Sequence, residues 1–370
     1  MANAPLLTDA AACLNIRARM SICAACREAC AGRALSLSLD DIALDPSLCT
    51  ACGACVPKCP AGAMSLTGFS PRDFLRPLQG RTVVHIHCSA SRTPEGGVAV
   101  PCHGILDARL LAAAHAAGTI SFQLHGLGQC GPCPMGSALA GVSSMRGTLQ
   151  SWFGQGAPEV IVAPESRDEV QAQRWRKELA VRSRRSFLRG AGLRATVNTA
   201  ARLLPPGRAS DPDSAARPPP LPDPAQQRPA AYQALLRERV ADLSWRQLPW
   251  RQRSIGENCN ACLVCAHRCP TGALTAWHKP AARGIDFEPG LCTSCRLCES
   301  ICPQRAIVTG EVASVGAVAS GRTPLVDRPL AACTACGRTH VPDAKAAGLC
   351  HACRKEADLK TAWLGLLEKS

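Results

Sequence analysis

The chain is poor in the side chains that fill large cores. In 370 residues it has one tyrosine, six phenylalanines, six tryptophans and five methionines. Aromatic residues are large contributors to burial, so a chain long enough for two or three domains with so few of them needs another source of stability. A secretory segment is not expected. Met1–Met20 is alanine-rich, but Asp9, Arg17 and Arg19 interrupt it and no apolar stretch with a cleavage site follows. No uninterrupted apolar run approaches the roughly 18 residues that span a bilayer. The sequence therefore reads as cytoplasmic, where thiols stay reduced and metal binding is the expected use of cysteine. Also missing are a nucleophile elbow, a P-loop and a carboxylate pair placed for acid/base work. Whether the chain is an enzyme stays open, with an electron-transfer protein or an oxidoreductase subunit favoured over a stand-alone catalyst.

What the chain does have is cysteine, 24 in all. They fall into four groups with none left over: eight in residues 13–59, four in 88–133, eight in 259–302 and four in 333–353. Sets divisible by four fit thiolate metal sites better than scattered buried thiols.

The third group is the most regular. Cys259-x2-Cys262-x2-Cys265-x3-Cys269-Pro270 is followed by Cys292-x2-Cys295-x2-Cys298-x3-Cys302-Pro303. Three cysteines two residues apart let one tight loop present three thiolates to one cube, with backbone amides turned toward the sulfurs. This pair of runs resembles the two-cluster bacterial ferredoxins. The resemblance implies that the fourth cysteine of each run ligates the other cluster. One [4Fe–4S] cube would then take Cys259, Cys262, Cys265 and Cys302, and the other Cys292, Cys295, Cys298 and Cys269.

The first group repeats the device with a defect. Cys49-x2-Cys52-x2-Cys55-x3-Cys59-Pro60 is complete, whereas Cys23-x2-Cys26-x3-Cys30 has Met20 where a first cysteine belongs and Ala31 in place of the proline. Cys13 is the substitute if Leu14–Ile22 loops out. The same resemblance then implies one cube on Cys13, Cys23, Cys26 and Cys59, and another on Cys49, Cys52, Cys55 and Cys30. The alternative is a three-cysteine site holding a [3Fe–4S] or labile cluster, with Cys13 free.

Between these groups the chain changes character. Short β-rich runs at Thr82–His87, Val98–Pro101, Ile120–Leu124 and Val160–Ala163, with helical spacing over Ile105–Ala117, predict a small α/β layer. Cys88, Cys102, Cys130 and Cys133 sit at or soon after the predicted strand ends, where open α/β sheets bind ligands. With the Val100-Pro101-Cys102-x-Gly104 stretch, this spacing resembles the delta (iron–sulfur) subunit of methyl-viologen-reducing hydrogenases. That implies a [2Fe–2S] cluster; zinc is the rival occupant. Gly126-x-Gly128-x-x-Gly131 matches a dinucleotide fingerprint, but Pro132 and Pro134 disfavour a helix start there and the acidic partner some 20 residues on is absent. His85, His87, His103 and His125 have the wrong spacing for a Rieske-like site and read as neighbours of a site or as exposed.

The net charge of +14 is concentrated between Arg174 and Arg253, with 17 basic residues against 6 acidic. Leu204–Pro229 holds nine prolines and is expected to be an extended linker. Ser183–Arg189 spells a twin-arginine export consensus in mid-chain; an amphipathic helix docking on an acidic partner, or on the chain's own domains, is the preferred reading. Last, Cys333-x2-Cys336-Gly337 and Cys350-x2-Cys353 form a knuckle pair of the zinc-ribbon kind, ahead of an amphipathic terminal helix with Leu359, Trp363, Leu366 and Leu367 on its apolar side.

The expected fold class is α+β multidomain. A two-cluster module would occupy residues 1–75, the α/β module 76–165, and a basic helix with the Pro-rich linker 166–255. A second two-cluster module would follow at 256–315, and the knuckle module with its terminal helix at 316–370. The expected cofactors are about four [4Fe–4S] clusters, one [2Fe–2S] cluster and one Zn²⁺. The expected function is electron transfer between redox partner proteins. The alternatives are an accessory factor for maturing a molybdenum or hydrogenase enzyme, and a basic zinc-ribbon nucleic-acid binder. The last is disfavoured because Trp175, Phe187, Tyr232, Trp245 and Trp250 are scattered rather than gathered into a stacking platform.

Overall fold

Five small antiparallel sheets and one parallel sheet carry the cysteines, in a computed structural model that describes residues 6–89, 91, 97–136, 138–163, 231–342 and 348–367. The mixture of helix and strand is that of an α+β multidomain chain. The twin-arginine-like stretch Ser183–Arg189, the arginines of 182–194 and the Pro-rich Leu204–Pro229 lie outside the described residues.

The N-terminal cluster module is built on two antiparallel strand pairs. Leu6–Thr8 runs antiparallel to Met64–Leu66, and Leu35–Leu37 to Ile42–Leu44. Each strand is three residues long, too short to hold itself together in water, so the intervening cysteine loops must contribute what the strands cannot. The C-terminal cluster module repeats the plan. Arg251–Ile255 pairs with Ile307–Val312, and Leu274–Lys279 with Ala282–Phe287. A further strand, Thr323–Pro329, adds to the second of these pairs.

The α/β layer is a four-stranded, all-parallel sheet in the order Val98–Val100, Val83–Cys88, Ser121–His125, Glu159–Val162. Its core side is apolar: Val84, Ile86, Phe122 and Leu124 are buried against Ala108–Ala116 and Leu139–Phe153. Asp107 caps the first of these helices by accepting from the Leu110 amide at 3.0 Å.

Two expected boundaries are corrected. Residues 231–255, assigned to a linker, are structured: Ala231–Arg237 is a helix and Arg251–Ile255 is the first strand of the second cluster module. The reason lies in three of the aromatic residues, Tyr232, Trp245 and Trp250; Trp175 and Phe187 lie outside the described residues. Trp250 is fully buried, Tyr232 nearly so, and Trp245 packs on Phe153 with ring centroids 4.7 Å apart. Tyr232 Oη donates to the Ile105 carbonyl (2.8 Å) and Trp250 Nε1 to the Gly290 carbonyl (3.1 Å). The segment is thus a strut joining the α/β layer to the C-terminal module, and it uses the few aromatics the chain owns. The second module likewise runs on to Pro329 rather than stopping at 315, because Thr323–Pro329 completes its sheet. Among the described residues no helix is long and apolar enough to cross a membrane.

Candidate metal centres

The three complete cysteine runs share one backbone path. Within each Cys-x2-Cys-x2-Cys loop the two residues that directly precede and follow the middle cysteine are left-handed: Ala51 and Gly53, Ala261 and Leu263, Ser294 and Arg296, with φ between 47° and 77°. Left-handed residues alternating with ordinary ones turn successive amides inward and form an anion-binding nest. One such amide is seen directly, Ala261 N–H donating to Cys259 Sγ at 3.4 Å. The fourth cysteine of each run uses a second shared turn. Arg33, Gly62, Gly272 and Arg305, each three residues beyond it, have φ between 49° and 70°. The amide after three of those turns then points at sulfur: Ala34 to Cys30 (3.3 Å), Ala63 to Cys59 (3.2 Å) and Ala306 to Cys302 (3.3 Å).

Folding gathers the thiols into sets. Burial pushes Cys26 up to about 11, and the charges of Cys59, Cys23 and Cys13 add to the effect. Burial pushes Cys55 up to about 12, reinforced by Cys52, Cys30 and Cys49. Cys265 rises to about 12 through burial and then Cys262, Cys259 and Cys302. Burial also raises Cys298; Arg253 opposes it, while Cys295, Cys292 and Cys269 act in the same direction as burial. Each set thus contains the fourth cysteine of the neighbouring run. Clustered, half-buried thiols of this kind cannot all ionise without a cation among them, and an all-sulfur donor set with amide donors suits iron–sulfur chemistry. The residues present therefore fit [4Fe–4S] clusters.

Beside the irregular run an asparagine that spacing alone does not reveal folds the chain back. Cys13 is buried and precedes the helix Leu14–Ala18. Asn15, two residues on and 2% exposed, accepts from the Ile22 and Cys23 amides and donates to the Cys23 carbonyl, all at 2.9 Å. These three bonds fold Leu14–Ile22 back on itself, bringing Cys23 against the helix that follows Cys13. Met20, at the vacant motif position, points outward and is 46% exposed.

Cys88, Cys102, Cys130 and Cys133 line one concavity at the carboxyl ends of the parallel strands, with Gly126 and Met135. Gly126 has φ 89°, and a Cβ there would lie 3.1 Å from Cys88 Sγ and 2.7 Å from Ser91 Cβ. The first glycine of the dinucleotide-like fingerprint thus serves close approach to this cysteine site. Burial pushes Cys102 up to about 12; the Gly104 amide opposes it, and Cys52, Cys88 and Cys133 raise it further. His103 Nε2 donates to the His125 carbonyl at 2.8 Å, and His85 Nδ1 lies 2.9 Å from His125 Nε2. Three of the four histidines are thus held by one another beside the concavity.

The knuckles close on a smaller set. The sulfurs of Cys333, Cys336, Cys350 and Cys353 all lie within 4.8 Å of one another. Cys336 Sγ and Cys350 Sγ are 3.8 Å apart, matching the edge of about 3.8 Å in a tetrahedron with 2.3 Å zinc–sulfur bonds. The Cys350 amide donates to Cys333 Sγ at 3.3 Å. With the Cys336 and Ala335 amides it brings that thiol down to about 6. Gly337, at φ 69°, makes the turn. These residues fit a single metal ion.

The sites adjoin one another. Cys52, from the N-terminal module, is near enough to raise Cys102 and Cys133, and Gly104 packs on Ala54. On the other side, Leu14, Ala61 and Leu297 form one buried apolar cluster with Cys23, Cys59 and Cys295 packed against it. Around that seam Arg268 donates to the Arg17 carbonyl at 2.9 Å, and Arg17 to the Arg268 carbonyl at 3.5 Å.

Compared with known families, residues 42–65 and 285–308 each match the 4Fe-4S binding domain. The matches cover two of the complete cysteine runs, Cys49–Cys59 and Cys292–Cys302. They support a ferredoxin-type iron–sulfur protein acting in electron transfer. No curated protein matches the chain.

Proposed function

We propose that this chain relays electrons between redox partner proteins through a line of iron–sulfur clusters. Cys13, Cys23, Cys26 and Cys59 would hold one [4Fe–4S] cube, and Cys30, Cys49, Cys52 and Cys55 a second. Cys269, Cys292, Cys295 and Cys298 would hold a third, and Cys259, Cys262, Cys265 and Cys302 a fourth. Cys88, Cys102, Cys130 and Cys133 hold a [2Fe–2S] cluster in this reading, as the hydrogenase-delta resemblance implies, and the knuckles hold structural zinc. When bound, the clusters supply the one-electron chemistry. The chain's own residues position them, bury them and donate hydrogen bonds to their sulfurs.

The observation that carries the reading is the seam. A line of clusters transfers charge only if each lies close to the next, and here Cys59 and Cys295 pack on the same three apolar side chains. Leu14, Ala61 and Leu297 also exclude water from the gap between the two modules. At the far end Cys262 is exposed, which makes the Cys259 site the natural place for a partner to exchange electrons.

Anaerobically purified protein is expected to contain about four [4Fe–4S] clusters, one [2Fe–2S] cluster and one zinc, to bleach reversibly with dithionite, and to pass electrons to a redox protein. Zinc alone, with no acid-labile sulfide after anaerobic reconstitution, would refute the proposal.

A further inference from the structure

Arg253 is a buried cation that no ferredoxin-type spacing accounts for. It lies on the strand Arg251–Ile255, outside every cysteine run, with its side chain 1% exposed. Its Nη1 pairs with Glu299 Oε1 at 2.6 Å and also meets Thr309 Oγ1, while its Nη2 donates to Cys292 Sγ at 3.7 Å. One end of the guanidinium thus faces the Cys292 sulfur while the other is paired with Glu299. Its Nε has no partner among the described residues.

A second cation lies near Cys269 of the same site. Arg17, 3% exposed, crosses the seam; burial pushes its pKa down, with the charge of Cys269 opposing and that of Arg268 adding to the effect. The remaining cube sites are furnished differently. The groups acting on Cys26 and Cys59, and on Cys49 and Cys55, are, besides burial, thiols and backbone amides. At the Cys259 site the cations are Arg328, which acts on Cys259, and Arg283, which donates to the Asn260 carbonyl at 3.2 Å; both are only partly buried, so water screens them more.

Adding one electron to a cluster makes it more negative. A buried cation favours the reduced form, and a hydrogen bond to a ligand sulfur acts the same way. We propose that Arg253 makes the Cys269/Cys292/Cys295/Cys298 site the electron-collecting centre of the chain, the cube site with the highest reduction potential. This rests on the electron-relay reading and adds a direction to it: electrons entering at either end settle at the module seam before leaving. The step is a one-electron uptake with no bond made or broken. In the test below the electron comes from dithionite, and in the cell from a low-potential redox protein.

The test is an EPR-monitored redox titration of the holoprotein with dithionite. The Cys298→Ser variant identifies the component belonging to this site. That component is expected to be the first of the cube signals to reduce. Arg253→Gln should lower its potential so that, at the wild-type midpoint, its oxidised-to-reduced ratio rises at least tenfold, about 59 mV for one electron. The other components should hold their positions. Glu299→Gln removes the opposing negative charge and should move the same component upward. Opposite shifts from two members of one ion pair would not follow from a merely structural role. Should Arg253→Gln fail to load clusters, the Glu299→Gln shift alone decides. The proposal is overturned if the Cys298→Ser-sensitive component is not the first to reduce. It is also overturned if full iron and sulfide are present and neither variant moves that component in the stated direction. Absence of acid-labile sulfide from the wild type would instead refute the relay reading itself.

Discussion

The two cluster modules solve one problem with different resources. In the C-terminal module the cysteine spacing is complete in both runs, and a guanidinium buried behind the Cys292 site faces its sulfurs. In the N-terminal module one run lacks its first cysteine, and a buried asparagine folds Leu14–Ile22 back so that Cys23 lies against the helix that follows Cys13. The backbone turns after the fourth cysteines are nevertheless the same in all four runs. The difference teaches that the device repeated within this molecule is the left-handed turn after the fourth cysteine, while the cysteine spacing upstream of that turn varies.

The sharpest way to break the comparison is at Cys13. Cys13→Ser should turn one cube into an oxidised [3Fe–4S] species, read by its EPR signal, and leave the C-terminal module's signals unchanged. Adding Met20→Cys should not restore the cube. The motif position is filled in that double variant, but residue 20 points into solvent, 46% exposed. A double variant with the wild-type spectrum would show that spacing, not the Asn15 fold-back, delivers the ligand.

Much of this was legible in the sequence, and for a physical reason. A cubic cluster demands three thiolates from one tight loop, so spacing alone marks the complete runs at 49–59 and 259–302. Strand alternation likewise marked the four strands of the α/β layer. Asn15 and Arg253 were not legible. Each acts across a fold-back or across strands, on residues that spacing rules do not link, and an isolated Asn or Arg has no periodic signature. The strut at 231–250 was hidden in a different way. Its flanks are basic and Pro-rich, so composition outweighed Tyr232, Trp245 and Trp250, whose burial depends on surfaces distant in sequence.

A smaller effect tests whether the modules work as one body. Leu297 is 1% exposed and belongs at once to the Cys295–Cys298 loop and to the seam with Leu14 and Ala61. Leu297→Ala should cost about 3 kcal/mol, read as a lower urea midpoint for cluster bleaching. It should also weaken the magnetic interaction between reduced clusters of the two modules. An unchanged interaction with a lowered midpoint would mean that the strut, not the seam, sets the spacing.

The smallest effect distinguishes two uses of the same loop position. Gly53, Leu263 and Arg296 follow the middle cysteine of their loops and are all left-handed, at φ 77°, 66° and 60°. Leucine and arginine occupy that conformation in the C-terminal module, so backbone strain alone does not require glycine at 53. What differs is the neighbour. A Cβ on Gly53 would lie 2.5 Å from Ile105 Cδ1, on the α/β layer that closes over this loop, whereas the Arg296 side chain is 75% exposed. Gly53→Ala should therefore cost about 1–3 kcal/mol by overpacking, and Ile105→Val should recover part of it by withdrawing the Cδ1 methyl. Arg296→Gly should change stability by less than about 1 kcal/mol, because relief of the left-handed backbone is set against a partly exposed ion pair with Glu299. Urea midpoints of the three variants and of the Gly53→Ala/Ile105→Val pair provide the measurement. If Gly53→Ala and Arg296→Gly are equally mild, the α/β layer does not press on the Cys49–Cys55 loop, and the contact that places the Cys88 site beside the N-terminal cubes is looser than the packing of Ile105 implies.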